Sequence, residues 1–345
     1  MFLQALATAV PDAEFTQAQC WELVSRSSVR QRLHKRSMLI LHSILRGDHG
    51  VATRHFALPQ IEQVFDLDPD QLNAAFRAEA PRLAGRVLTA ALEKAGVRPS
   101  DLDALFICTC TGYLCPGLTS YVAEQLGLRD SAILHDLAGL GCGAAIPTLR
   151  AVSHLLAAKP DAVVACVAVE ICSAAFFLDD DPGVLISACL FSDGAAATVW
   201  RGRPGGGALR CFDFQTVHLP AERDKLRFET RSGKLRNLLH RSVPELAAGA
   251  VGRLWRERGP RGVSRVVSHA GGRDVLEALG PAVDGHSLAA SARVLSRCGN
   301  MSSPSVLFAL EETLREGAPS PEGDFWLVSF GAGFAAHACR IGANP

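Results

Sequence analysis

The sequence predicts an α/β protein assembled from two related α/β units, and three observations carry that prediction. Uninterrupted apolar runs such as Ala104-Leu-Phe-Ile-Cys-Thr-Cys-Thr111 and Ala162-Val-Val-Ala-Cys-Val-Ala-Val-Glu170 alternate with helical periodicity, the signature of strands covered on both faces. The chain repeats its landmarks: a strand ending at a glycine leads to a helix-opening glycine after 29 positions in one half (Gly112 to Gly141) and 28 in the other (Gly271 to Gly299). A proline then enters each helix, Pro147 or Pro304, and each half closes on a glycine-bearing apolar strand, Phe191 to Trp200 and Phe325 to Phe334. At 345 residues the chain exceeds one typical domain. The run Arg201-Gly-Arg-Pro-Gly-Gly-Gly207 is the clearest internal break and divides it into 1–203 and 204–345.

Taken in order, Met1 to Asp12 reads as a first strand, because its short apolar run lacks the basic start of an export signal. Residues 13 to 80 read as helices with short connections, entered at polar starts such as Thr16 and Asp66 to Asp70 and broken at Gly47-Asp-His-Gly50. Helix continues from Leu83 to Lys94 and stops at Gly96. After the strand at 104, a helix from Ser120 to Leu126 and a short strand near Ile133 lead to Gly139-Leu-Gly-Cys-Gly-Ala-Ala-Ile-Pro147. The apolar spacing Ile146, Leu149, Val152, Leu155, Leu156 is helical, and Pro147 fits only if regular hydrogen bonding begins there. In the second half, the strand Val263 to Ser268 ends in His269-Ala-Gly-Gly272, and Gly299-Asn-Met-Ser-Ser-Pro304 opens a helix through Val306, Leu307, Leu310 and Leu314.

Nearly half of the residues, 48%, are hydrophobic and the formal net charge is zero, so a large core is available and no basic field calls for nucleic acid or anionic membrane. No stretch is apolar and long enough to span a bilayer. The eleven cysteines are scattered and odd in number, which suits a reducing cytoplasm better than a disulfide framework. Cys108, Cys110 and Cys115 lack a second ligand pair at zinc spacing, so no metal is expected.

Cys142, at a helix N-terminus, is a candidate nucleophile, since unpaired N–H groups and the helix dipole favour a thiolate there. A small buried cysteine is the competing reading. His269 and Asn300 fall at the end of a strand and the start of a helix in the second unit, so the repeat brings all three toward one centre. Cysteine beside histidine makes an activated acyl acceptor with a thiol pKa expected below 8.5. A histidine N–H and an asparagine amide together can hold the oxygen of a thioester enolate.

The motifs Gly-Cys142, Ser-His269-Ala-Gly-Gly, Cys-Gly-Asn300-Met-Ser-Ser and Ser-Phe-Gly-Ala-Gly-Phe334 resemble the signatures of type III polyketide synthases, the chalcone and stilbene synthase family with the thiolase fold. The likeness extends over the chain, through Thr8-Ala-Val-Pro11, Arg54-His-Phe, Cys110-Thr-Gly-Tyr-Leu-Cys-Pro-Gly117, Glu170-Ile-Cys-Ser and Leu190-Phe-Ser-Asp-Gly-Ala-Ala-Ala. It implies a layered αβαβα thiolase fold and a cytoplasmic homodimer. An acyl-CoA starter would load on Cys142 and be extended by decarboxylative Claisen condensation with malonyl-CoA. Release as a cyclised resorcinol-, phloroglucinol- or pyrone-type product would follow, with coenzyme A thioesters as substrates and no metal or redox cofactor. His269 and Asn300 would promote decarboxylation and hold the enolate.

By the same resemblance Phe191 would gate the coenzyme A tunnel, and Cys110, Thr111, Cys172, Ala175 and Ser302 would line the substrate cavity. Cys115 would reach into the partner's cavity, while Arg46 and Arg54 are the candidates for coenzyme A phosphates. The chain departs from the plant enzymes in Gly-Ala-Ala-Ile-Pro after the nucleophile, in Ala332 where they carry proline, and near Asn237, where a second gatekeeper would fall. Cysteine and alanine replace threonines at 110, 172 and 175, which predicts a drier, deeper pocket for medium- or long-chain starters. The alternatives are a 3-oxoacyl-[acyl-carrier-protein] synthase III, and a catalytically degenerate thiolase-fold protein acting as an interaction partner.

Overall fold

The computed structural model describes residues 1–58, 61–205, 209–320 and 322–343. Nine strands form the main sheet: β1 (Phe2–Ala9), β2 (Ala104–Cys108), β3 (Ile133–Leu137), β4 (Val163–Glu170), β5 (Gly194–Arg201), β6 (Leu209–His218), β7 (Val263–Ser268), β8 (Asp324–Gly331) and β9 (Ala335–Ala343). Their order is β7-β8-β9-β6-β1-β5-β4-β2-β3. The duplication is plain in the ladders. The pair β2–β4 is parallel, and β4–β5 and β5–β1 are antiparallel. In the second half β7–β8 is parallel, and β8–β9 and β9–β6 are antiparallel. The halves join where Phe2 and Leu3 pair with Arg210 and Leu209.

This register corrects one sequence-based equivalence. The strand at 325, matched there to the one closing the first half, instead corresponds to β4. The closing strand of the second half is β9, whose alanine-rich residues hide its strand pattern. The glycine-rich break at 201–207 lies partly outside the described residues, since 206 and 207 are not among them.

Alternation along the strands sorts the core into layers, because successive side chains of a strand point to opposite faces. Val163, Ala165, Val167 and Val169 pack outward with the helix Pro69–Ala95 through Leu83, Val87 and Leu88. Val164, Cys166 and Ala168 pack inward with helices Ala145–Ala158 and Ser305–Glu316, through Leu149, Val152, Val306 and Leu310. Leu327 of β8 also reaches this central layer. On the far side Trp326 and Val328 meet helices Val243–Arg256 and Arg273–Ala282 through Leu254, Trp255 and Leu279. Helix, sheet, paired central helices, sheet and helix are the five layers of the thiolase fold.

Local chemistry sets the helix ends. Thr16 and Asp68 each close a capping box, with Gln19 and Gln71, at the starts of Gln17–Arg26 and Pro69–Ala95. The latter runs unbroken through Pro81 to Gly96, whose φ of +62° suits a residue without Cβ.

Candidate active site

The two central helices start side by side at the C-terminal ends of the strands, and their leading loops build the site. Cys142 sits in a tight turn, Gly141–Gly143, just ahead of helix Ala145–Ala158. Ala144 N–H donates back to Gly141 O, and the first α-helical bond runs from Thr148 N to Ala144 O, 3.1 Å. Pro147 therefore occupies a position that has no intrahelical bond to donate. Gly141 adopts φ +57°, and a Cβ there would lie 2.8 Å from Ala332 N. A Cβ on Gly331 would lie 2.5 Å from Gly143 N and 2.9 Å from Cys142 N. Both glycines are thus demanded by the close approach of the two loops behind the nucleophile.

In the second half, Asn300 stands five residues ahead of helix Ser305–Glu316. Its Oδ1 accepts from Ser302 N at 2.8 Å and its Nδ2 donates to Gly271 O at 3.0 Å. These two bonds fix which end of the amide is which and leave one N–H free. Ser302 adopts φ +60°, unusual for a residue with Cβ, and its Oγ donates to Cys142 Sγ at 3.2 Å. His269 follows β7, its N–H donating to Val328 O at 2.9 Å and its ring set edge-on to Phe330 at 5.2 Å. Its Nδ1 is buried without a partner.

Cys142, His269 and Asn300 line one cavity of about 400 Å³ that opens to the surface. Burial pushes the Cys142 thiol up to about 12, against the opposing hydrogen bond from Ser302 and with the Glu170 charge adding to the rise. Burial also lowers the His269 imidazole to about 3. The acid thiol expected from a helix N-terminus is thus reversed, because the thiol is buried and desolvation of its charge outweighs the helix dipole. A neutral imidazole is what a proton acceptor requires.

Phe191 borders two spaces. It lines the large cavity and also a small inner chamber of about 20 Å³, bordered by Thr111, Cys172, Ala175, Phe176, Phe177, Phe228 and Asn237. Twenty cubic ångströms is the room of about one water molecule. The deep pocket expected beside Ala175 is therefore absent from this conformation: Phe176, Phe177 and Phe228 occupy the space. Phe191 is pinned to the catalytic loop, since Asn300 N donates to Leu190 O and Ser192 N to Asn300 O, each at 2.9 Å.

Cys110 borders neither space; its Sγ lies 3.3 Å from Glu170 Oε1 and 3.2 Å from Ser302 Oγ, behind the nucleophile. Thr111 Oγ1 donates to Glu170 at 2.8 Å, and Ser303 Oγ donates to the same carboxylate at 2.6 Å. Burial raises the Glu170 pKa. Cys115 is exposed. Arg54 is not available to a phosphate: it is 3% exposed, and its Nη1 donates to Ala188 O at 2.7 Å and Phe191 O at 3.1 Å, steadying the gate from behind. Arg46 is exposed on the outer face of helix Lys35–Arg46 and does not line the cavity. The cationic and imidazole groups at the mouth are instead His49, His240, Arg241 and Arg273, which sequence reading missed. Arg241 just before a helix with proline in its first turn, and Arg273 just after two glycines, were the available signals.

Two fused units, a cysteine heading the first central helix, and histidine and asparagine from the second define a thiolase-fold condensing enzyme. The model of the FAE1/Type III polyketide synthase-like protein family matches residues 12–205, and that of the 3-oxoacyl-[acyl-carrier-protein] synthase III C-terminal domain matches residues 258–342. The 1,3,6,8-tetrahydroxynaphthalene synthase of Streptomyces peucetius subsp. caesius is 31% identical over 346 aligned positions, covering 96% of this chain and 90% of the relative. The 3,5-dihydroxyphenylacetyl-CoA synthase of Streptomyces toyocaensis is 30% identical over 270 positions, 74% of this chain and 69% of the relative. Among solved structures, 1,3,6,8-tetrahydroxynaphthalene synthase from Streptomyces coelicolor A3(2), a bacterial type III polyketide synthase, superposes with a TM-score of 0.90 at 26% identity, covering 100% of both chains. The chain belongs to the type III polyketide synthase family. Among the described residues, no helix is long and apolar enough to cross a membrane.

Proposed function

We propose that the protein loads a small acyl group from coenzyme A onto Cys142 and extends it with malonyl-CoA, releasing a short cyclised polyketide. The observation that carries this reading is the convergence of Cys142, His269 and the orientation-fixed amide of Asn300 on one cavity. His269, held neutral, accepts the Cys142 proton as the thiol attacks the starter thioester, and coenzyme A leaves as its thiol. Malonyl-CoA then binds with its thioester oxygen at the His269 N–H and the free Asn300 N–H. Loss of CO₂ leaves an enolate on that oxygen, and these two donors offset its charge in a dry site. The enolate carbon attacks the acyl–Cys142 carbonyl, the carbon–sulfur bond breaks, and Cys142 is free for the lengthened chain.

The inner chamber has room for about one water, too little for a long acyl chain, so a small starter and the growing chain are both assigned to the larger cavity beside Cys142. Arg241 and Arg273 at the mouth are suited to the phosphates of coenzyme A. Edge strand β3, with exposed Leu134 and the neighbouring exposed Tyr113 and Cys115, is the surface we assign to a homodimer. The reading needs no metal or redox cofactor, and a cytoplasmic location supplies its substrates. Purified protein incubated with malonyl-CoA alone and with acetyl-, hexanoyl-, lauroyl- and cinnamoyl-CoA, with products identified by mass, tests it. Polyketides from malonyl-CoA alone or with acetyl-CoA are expected. Products only with lauroyl- or cinnamoyl-CoA would overturn the starter size, and no product with any of them would overturn the activity.

A further inference from the structure

One polar group in the wall of the inner chamber has no partner among the described residues. Asn237 borders that chamber and is 9% exposed, and its Oδ1 is buried without a hydrogen bond. The other polar side chains of the wall are committed to protein groups. Thr111 Oγ1 donates to Glu170 and accepts from Ile171 N at 2.9 Å, and Ser187 Oγ donates to Val184 O at 2.9 Å. Phe176, Phe177 and Phe228 make much of the remaining surface. Burying an amide oxygen against such a wall is costly, and buried polar groups are seldom left unpaired. Nor is Asn237 loosely held. It stands opposite Phe228 in the hairpin Leu226–Arg231 and Lys234–Leu239. Arg236 points to the other face, because side chains alternate along a strand. There it meets Asp179 at 2.8 Å, Glu229 at 2.9 Å and Asp181 at 3.5 Å, an ion cluster that clamps the strand and leaves the amide on the chamber side.

We infer that the Asn237 amide binds one keto oxygen of the growing chain, or its enol form, in the inner chamber; this rests on the condensing activity proposed above. Nδ2 can donate to a ketone, and Oδ1 can accept from an enol O–H. Room for about one water suits a single oxygen rather than a ring or an alkyl tail. A carboxylate is disfavoured, since among the described residues no cation lines the chamber and Arg236 faces away from it. The chamber lies close to the nucleophile. Thr111 in its wall follows Cys110, whose Sγ is 3.2 Å from Ser302 Oγ, the donor to Cys142. Phe191 borders both the chamber and the cavity of Cys142, so the chain reaches the amide past the edge of that ring. Each extension with malonyl-CoA turns the previous acyl carbon into a ketone, whereas an unextended alkanoyl starter has none. Asn237 thus distinguishes an extended chain from its starter.

The test compares two acyl groups of equal length that differ by that one oxygen. Acetoacetyl-CoA and butyryl-CoA are given separately to wild type, Asn237→Leu and Asn237→Ala, and the rate of transfer to Cys142 is read by mass. The ratio of acetoacetyl to butyryl transfer should fall about three- to tenfold in both variants, the worth of one neutral hydrogen bond. Each ratio is taken within one protein, so a general loss of loading cancels, and Asn237→Ala serves if the leucine variant folds poorly. Asn237→Leu should melt no lower than wild type, since it removes an unpaired amide from an apolar wall. An unchanged ratio overturns the proposal while the condensing activity stands. A ratio that falls only together with a marked drop in the melting temperature of both variants would make the amide a structural group, and also overturns it. No transfer of either acyl group to wild-type Cys142 would overturn the proposed function, and this inference with it.

Discussion

Ser302 lies where its hydroxyl governs how easily Cys142 ionises. Its Oγ donates to Sγ at 3.2 Å and is the main influence holding the thiol's acidity up against burial. A hydrogen bond to a charged group is worth about 1.5–3 kcal/mol, and 1.36 kcal/mol is one pKa unit. Ser302→Ala should therefore raise the thiol pKa by about one to two units and slow its alkylation about 10- to 100-fold at any pH below that value. The sign follows from the ionised form being the one that reacts: a raised pKa leaves less thiolate at fixed pH, and rate is regained only as pH rises. Ser302 also holds φ +60°, so Ser302→Gly serves as a second variant that removes the hydroxyl while easing the backbone. Iodoacetamide alkylation of Cys142, followed by peptide mass from pH 6 to 10, reads both. Equal rates and superimposable profiles in wild type and both variants would refute the assignment.

Splitting the reaction separates the other roles. Cys142→Ala should abolish starter loading yet keep malonyl-CoA decarboxylation, measured as CO₂ release, while Asn300→Ala should lower decarboxylation about 10²- to 10³-fold. In Cys142→Ala that release should stay flat from pH 8 to about 4, because the lowered His269 pKa keeps the ring neutral as pH falls until about 3; a fall centred near 6.5 would contradict it. Phe228→Ala or Phe177→Ala should open the inner chamber and raise the rate with hexanoyl-CoA relative to acetyl-CoA. At about 0.8 kcal/mol per buried CH₂, four methylenes correspond to a preference change of roughly two-hundredfold. Leu105→Ala, fully buried on β2, should cost about 2–5 kcal/mol in denaturant unfolding.

The fold was legible because alternation and periodicity are local. The all-apolar strand β4, the helix after Pro147 and the repeated glycine spacing each follow from a few neighbouring residues. Strand β9 was not, since Ala335-Ala-His-Ala-Cys-Arg carries little apolar contrast and is recognised only by its ladders to β6 and β8. Cys142, His269 and Asn300 were found from the repeated pattern that sets them around one cavity, whereas Phe191 came from the family resemblance, its place by a strand alone reading as core. The phosphate candidates were misplaced, because a residue's number tells nothing of whether a long side chain turns inward, as in Arg54, or to solvent, as in Arg46. The size of the inner chamber was misjudged for a related reason. The small side chains of Cys172 and Ala175 suggested space, but Phe228, brought in by the hairpin Leu226–Arg231 and Lys234–Leu239, fills it from more than fifty residues away in sequence. Acidity of the thiol depended on desolvation, which no spacing reports.

Three cysteines, Cys110, Cys142 and Cys172, crowd this region, so the most direct test asks which one carries the chain. Protein incubated with acetyl-CoA, quenched in acid and digested, should carry the acetyl group on the Cys142 peptide alone. A malonyl-CoA chase should replace it there with longer acyl species. Acylation confined to Cys110 or Cys172, or an acetyl group on Cys142 that the chase neither extends nor removes, would contradict Cys142 as the nucleophile of a condensing enzyme.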